Sequence, residues 1–156
     1  IPISNTSMTV QAFPLSHVNP YESTAFLIKK GNNAVLYLGD TGPDSVEKTT
    51  NLADLWKAIA PLIQKQELKG ILIEVSFPNE QPDAFLFGHL TPKHLMKEMQ
   101  VLAALTGNEA LQKCKIIITH LKPPAAAIQK IKQQLAATND LGLTFVFNEQ
   151  GLRMEL

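Results

Sequence analysis

Cysteine is almost absent from this chain of 156 residues. Cys114 stands alone, so no internal disulfide can form, and cysteine usage favours neither an oxidising nor a reducing compartment. Excess charge is absent too. Fourteen basic and fourteen acidic residues cancel, which removes the electrostatic footprint of nucleic-acid binders and of proteins held on anionic membranes. No apolar run is long enough to span a bilayer, and no basic segment followed by an apolar stretch opens the chain. An initiator methionine is also missing: the sequence starts at Ile1-Pro2-Ile3, as a processed or truncated polypeptide would. With 45% hydrophobic and 18% charged residues, the composition excludes a disordered chain and suffices for one domain with a real core.

What is present is a series of apolar runs that stop abruptly on polar residues. Met8-Thr-Val-Gln-Ala-Phe-Pro14 alternates as a strand, with Pro14 marking its end or a sheet edge. Thr24-Ala-Phe-Leu-Ile-Lys-Lys30 and Ala34-Val-Leu-Tyr-Leu-Gly39 form a hairpin around Gly31-Asn-Asn33, residues that accept positive φ cheaply. Leu52, Leu55, Trp56, Ile59, Leu62 and Ile63 recur at helical spacing, predicting a helix within 46–66. Ile71-Leu-Ile-Glu74-Val75 is a short buried strand, and 76–90, with its prolines, Asn79, Asp83 and Gly88, is a loop. Thr91-Pro92 is a helix start, and the helix buries Leu95, Met99, Leu102 and Leu105 before Gly107. Lys115-Ile-Ile-Ile-Thr119 is another buried strand. Pro123-Pro124 opens a helix with Ile128, Ile131 and Leu135 on one face, and 143–147 with 152–156 make a closing strand or hairpin. The order β-β-β-α-β-α-β-α-β, without repeat or linker, describes one α/β unit.

Candidate chemistry collects where these runs end, because strand ends are rigid and side chains from distant segments converge there. Asp40 ends one run; His17 and His120 follow two others. Imidazoles and a carboxylate so placed are metal donors, although each alone also reads as a turn residue bonded to backbone. His94 falls inside a helix on its solvent side and is not a candidate. Glu74 and His89 form a second pair. A carboxylate on a buried strand needs a partner, and a carboxylate-held imidazole is a standard proton donor; a purely structural Glu–His bond is the alternative.

Taken in order, His17…Ser23, Leu36-Tyr-Leu-Gly-Asp40-Thr41, Ile73-Glu74-Val-Ser-Phe77, Gly88-His89-Leu-Thr91 and Thr119-His120 resemble the later motifs of the metallo-β-lactamase fold. Within that superfamily they are most similar to the class II 3′,5′-cyclic-nucleotide phosphodiesterases. The transfer-RNA-processing ribonuclease Z group shares some of these marks. The resemblance implies that 1–156 is the C-terminal half of an αββα sandwich, a mixed sheet flanked by helices. It implies two zinc ions, or manganese or iron, with His17 on one, His120 on the other and Asp40 bridging. Glu74 and His89 would protonate the leaving oxygen of a cyclic nucleotide, cAMP above all, to give the 5′-monophosphate, and Ser23 and Thr41 would touch phosphate. The family's upstream His-x-His-x-Asp-His motif is absent from this sequence. The expected partner is therefore the N-terminal half that carries it, with a homodimer compatible and no nucleic acid or membrane expected. A compartment follows only from such relatives: periplasm or cytoplasm, with the bacterial periplasm favoured. Two other readings stay open, a ribonuclease Z-like hydrolase and a non-catalytic α/β subunit whose sheet edge pairs with a partner chain.

Overall fold

The computed structural model describes every residue except Asn19, Asn148, Gln150 and Leu152. Strands β1 (Met8–Ser16), β2 (Glu22–Lys30) and β3 (Asn33–Leu38) are followed by a helical turn α1 (Asp44–Glu47) and α2 (Asn51–Gln64). Then come β4 (Leu68–Glu74), a 3₁₀ turn (Asp83–Phe85), α3 (Pro92–Thr106), α4 (Asn108–Gln112), β5 (Lys115–Thr119), α5 (Ala125–Ala137) and β6 (Phe145–Phe147). The strands form one mixed sheet in the order β1-β2-β3-β4-β5-β6. β1, β2 and β3 are antiparallel neighbours, whereas β3 through β6 run parallel.

That order decides the architecture. Each parallel strand lies beside its predecessor, so right-handed crossovers carry the intervening helices to one face of the sheet. On that face Ala25, Leu27, Leu36, Leu38, Ile71, Ile73, Ile116 and Ile118 are buried in one core with Leu52, Leu55, Trp56 and Ile59 of α2 and Leu95, Met99 and Leu102 of α3. The alternate residues form the opposite face. Register aligns Phe26 with Tyr37, Tyr37 with Leu72 and Leu72 with Ile117. Phe26 and Tyr37 are 40% and 45% exposed there, whereas Ile117 at the other end of the row is buried.

Of the two places expected for Pro14, the sheet edge holds: it lies inside β1, an edge strand that tolerates the missing N–H. The helix expected within 46–66 is α2; a separate helical turn, α1, precedes it and ends at Lys48, which adopts φ 57°. The first amides of α2 are satisfied from outside, since Leu52 N and Ala53 N donate to the Asp44 carboxylate at 3.1 and 2.9 Å. Leu105 is 38% exposed rather than buried. Of the proposed closing segment, Leu152 lies outside the described residues, and 153–156 carry no strand. Cys114 is buried, which pushes its thiol up to about 12 and makes it inert.

His94 is the main reversal. It is 3% exposed, with Nδ1 at 2.8 Å from Thr91 Oγ1 and Nε2 at 3.5 Å from Asp83 Oδ1. The loop before α3 folds back over the helix face that periodicity assigned to solvent. Burial holds its imidazole below the usual range. Its neutral form therefore stabilises the fold fully above about pH 6.5, and that contribution is lost as pH falls through the lower folded value. Urea midpoints measured from pH 7.5 down to about 5 should fall more steeply for the wild type than for His94→Asn. Parallel curves would show that His94 carries none of the slope.

Candidate metal centre

β1 and β3 both lie antiparallel to β2, so β1 points the same way as the parallel strands. The C-terminal ends of β1, β3, β4 and β5 therefore open onto one edge, the usual place for ligands in such sheets. His17 follows β1, Asp40 follows β3, Glu74 ends β4 and His120 follows β5. One donor atom each from His17, Asp40 and His89 lie within 4.8 Å of one another. His120 joins them: its Nδ1 is 3.6 Å from Asp40 Oδ1, and its ring stacks on His89 with centroids 5.3 Å apart. The His17 ring meets His89 edge-on at 5.0 Å.

Each member is held from behind. His17 Nδ1 lies 3.0 Å from the Gly88 carbonyl, an acceptor only, so Nδ1 carries the proton and Nε2 keeps its lone pair for a cation. The end of β1 is fixed by Ser16 Oγ, which bonds Thr49 Oγ1 at 3.0 Å and accepts from Asn51 Nδ2 at 2.9 Å. His120 sits at φ 54°, a conformation that non-glycine residues adopt at a cost and that turns its ring toward the cluster.

Gly88 is the tightest point. It adopts φ +75°, and a Cβ there would lie 2.5 Å from Val18 N and 2.6 Å from His17 Nδ1. Gly88→Ala must strain the backbone and push His17 away. We expect it to lower stability by about 1–3 kcal/mol and to weaken metal binding at least about tenfold. Thermal unfolding together with metal titration of the full-length protein checks this; an unchanged metal affinity would show that His17 holds no metal.

Behind the histidines lies Glu74, 1% exposed. Its Oε1 accepts from His89 Nδ1 at 2.6 Å and Thr41 N at 3.0 Å, and its Oε2 accepts from Ser76 Oγ at 2.5 Å and Leu90 N at 3.4 Å. Donors thus fill a carboxylate's accepting capacity. At the other end of the ring, His89 Nε2 faces Lys122 Nζ at 2.9 Å. An ammonium only donates, so Nε2 accepts and the proton of the neutral ring sits on Nδ1, toward Glu74.

The structure thus gathers His17, Asp40, Glu74, His89 and His120, with Thr41, one of the two residues expected to touch phosphate, bonded through its amide to Glu74. Thr41 is fully buried, its amide spent on Glu74, and the Gly42 amide donates to Ser16 O at 2.9 Å. This turn offers no amide to an anion; it braces Glu74 instead. Ser23 is half-buried on β2 with its hydroxyl against Gly39, beside Asp40 in the chain. Ser76 and Lys122 went unassigned in the sequence. Ser76 is two residues beyond Glu74, a spacing that returns its hydroxyl to the same face of an extended segment.

Two imidazoles with lone pairs facing one carboxylate are a nitrogen–oxygen donor set suited to zinc and its first-row neighbours. These three side chains fit part of such a metal's donor set. The family described as class-II cAMP phosphodiesterases matches residues 1–151. The chain belongs to this family. A 3′,5′-cyclic-nucleotide phosphodiesterase of Aliivibrio fischeri is 44% identical over 155 residues, which cover 96% of this chain and 47% of that protein. The structure of unliganded yeast PDE1 superposes with a TM-score of 0.84 at 26% identity, covering 97% of this chain and 46% of that one. The metallo-β-lactamase fold protein YhfI of Bacillus subtilis matches with a TM-score of 0.61 at 17% identity, over 97% of this chain and 51% of that one. The chain therefore has the metallo-β-lactamase fold, and it spans about half the length of the class-II phosphodiesterase relatives it matches.

Proposed function

We propose that this chain supplies the C-terminal half of a metal-dependent phosphodiesterase that opens 3′,5′-cyclic nucleotides, cAMP first among them, to 5′-monophosphates. One observation carries the reading: in a class-II family member, His17, Asp40, His89 and His120 converge on a single sheet edge with Glu74 buried behind them. Zinc, with manganese or iron as alternatives, would be held by His17, Asp40 and His120. When bound, it supplies Lewis acidity that neutralises phosphate charge and makes water acidic enough to attack near neutral pH. Asp40, whose side chain is 38% exposed, would supply the anionic oxygen donor of that set. Glu74 would hold the His89 ring at Nδ1 and support its charged form. The imidazolium, formed when Nε2 takes a proton from solvent in place of the Lys122 hydrogen bond, would deliver that proton from Nε2 to the departing 3′ oxygen.

The remaining ligands would come from an N-terminal half packed on the open face of the sheet, where Phe26 and Tyr37 lie exposed beside Ile28, Val35 and Leu72. On this reading residues 1–156 alone bind metal weakly and turn over nothing. The test uses the full-length protein: metal content is measured, and cAMP and cGMP are offered with and without chelator. Chelator-sensitive release of 5′-AMP supports the proposal. A full-length protein that binds no metal, or that hydrolyses neither nucleotide when loaded, overturns it and favours a non-catalytic subunit.

A further inference from the structure

We propose that Lys122 is a substrate-contacting residue, the fixed cation that grips a phosphoryl oxygen on the leaving-group side of the centre. The inference rests on the phosphodiesterase reading for the identity of the anion. Its geometry comes from a residue to which that reading gives no role.

Lys122 lies two residues beyond His120, and the same tripeptide covers His89 twice. The His120 ring stacks on the imidazole, and Lys122 Nζ reaches Nε2 at 2.9 Å. The ammonium also rests over the Phe77 ring, 4.9 Å from its centroid, and Phe77 in turn meets His89 edge-on at 5.8 Å. Aromatic support and a half-buried stem fix the charge in place. Yet no carboxylate among the described residues lies within 4.0 Å of it. The nearest buried candidate, Glu74, is already filled by Thr41, Ser76, His89 and Leu90.

An ammonium has three donors, and among the described residues only His89 Nε2 takes one of them. The others are available to oxygen. Because Nζ lies 2.9 Å from Nε2, an oxygen gripped by the free donors of Lys122 sits next to the His89 ring. His17 and His120 flank that ring at 5.0 and 5.3 Å, so the ammonium lies at the rim of the metal-ligand cluster. Lysine binds phosphate as a point charge and needs no bidentate geometry. A cyclic phosphodiester carries one negative charge, and the 5′-monophosphate approaches two. A fixed cation here therefore gains attraction as the reaction proceeds, which favours the transition state and product over the bound substrate.

The experiment compares metal-loaded full-length wild type, Lys122→Met and Lys122→Arg. Calorimetric titration with inorganic phosphate and with 5′-AMP is expected to show about 10- to 100-fold weaker binding by Lys122→Met, at unchanged metal content and melting temperature. Lys122→Arg should recover part of that loss. Where cyclic nucleotide is turned over, Lys122→Met should reduce kcat/KM about 10- to 100-fold, mainly through kcat. Wild-type affinity for both anions in Lys122→Met, within twofold, overturns the proposal, as does loss of metal from that variant. The two readings separate cleanly. A wild type that binds phosphate through Lys122 yet hydrolyses no cyclic nucleotide supports the inference and removes the phosphodiesterase reading. An active wild type matched by Lys122→Met keeps the activity and removes the inference.

Discussion

Replacing His89 by alanine in the full-length protein is expected to slow cyclic-nucleotide turnover by about 10²- to 10⁴-fold while metal content stays near the wild-type level. Position alone does not separate this outcome from its opposite, because His89 offers a donor atom within the same 4.8 Å cluster as His17 and Asp40. Lys122 separates them. A cation 2.9 Å from Nε2 repels a second cation at the same lone pair, so a metal on His89 would first have to displace the ammonium. His17 shows no such conflict, since its only described hydrogen bond runs from Nδ1 to the Gly88 carbonyl. His89 Nε2 can exchange its Lys122 hydrogen bond for a proton, whose charge the Glu74 carboxylate behind the ring supports, and pass it to an oxygen beside it. His17, held at Nδ1 by a carbonyl, is suited instead to bind a cation. Metal analysis and initial rates on the same preparation decide the matter. Loss of metal from His89→Ala would make His89 a ligand and leave the leaving oxygen without an assigned donor.

The site was legible in the sequence wherever an apolar run ended on a polar residue. Buried strands point their ends at one edge, so Asp40 after β3, Glu74 at the end of β4 and His120 after β5 could be placed together before any coordinates. His89 follows from its motif and from the demand of a buried carboxylate for a partner, which Glu74 and His89 meet at 2.6 Å. What remained hidden depends on long-range folding back. Asp44 caps α2 from eight and nine residues upstream, beyond any local capping rule. His94 looked solvent-facing because helical periodicity knows nothing of the loop that carries Asp83 onto it. Lys122 draws no role from the sequence, since nothing there says that His120 turns left-handed and carries the next residues back over His89.

Glu74→Gln tests whether the buried pair acts as a unit. The substitution preserves volume but replaces an acceptor by a donor, and the surroundings supply only donors. With the amide oxygen toward Thr41 N and His89 Nδ1, the new NH₂ faces Ser76 Oγ, which can rotate, and Leu90 N, which cannot accept. In the flipped orientation it faces the Thr41 amide and forces the His89 proton onto Nε2, against the Lys122 ammonium. Either arrangement leaves a buried backbone N–H unpaired, a cost of about 1–3 kcal/mol that should appear as a lower melting temperature. Both also remove the negative charge behind the imidazole, so turnover should fall by about 10²- to 10⁴-fold with metal retained. The double variant Glu74→Gln/His89→Ala should be no slower than His89→Ala alone, because the carboxylate acts only through the ring it orients. Rates that multiply in the double variant would mean that Glu74 contributes to turnover by another route. A Glu74→Gln protein that is destabilised yet turns over at the wild-type rate would reduce the pair to a structural bond.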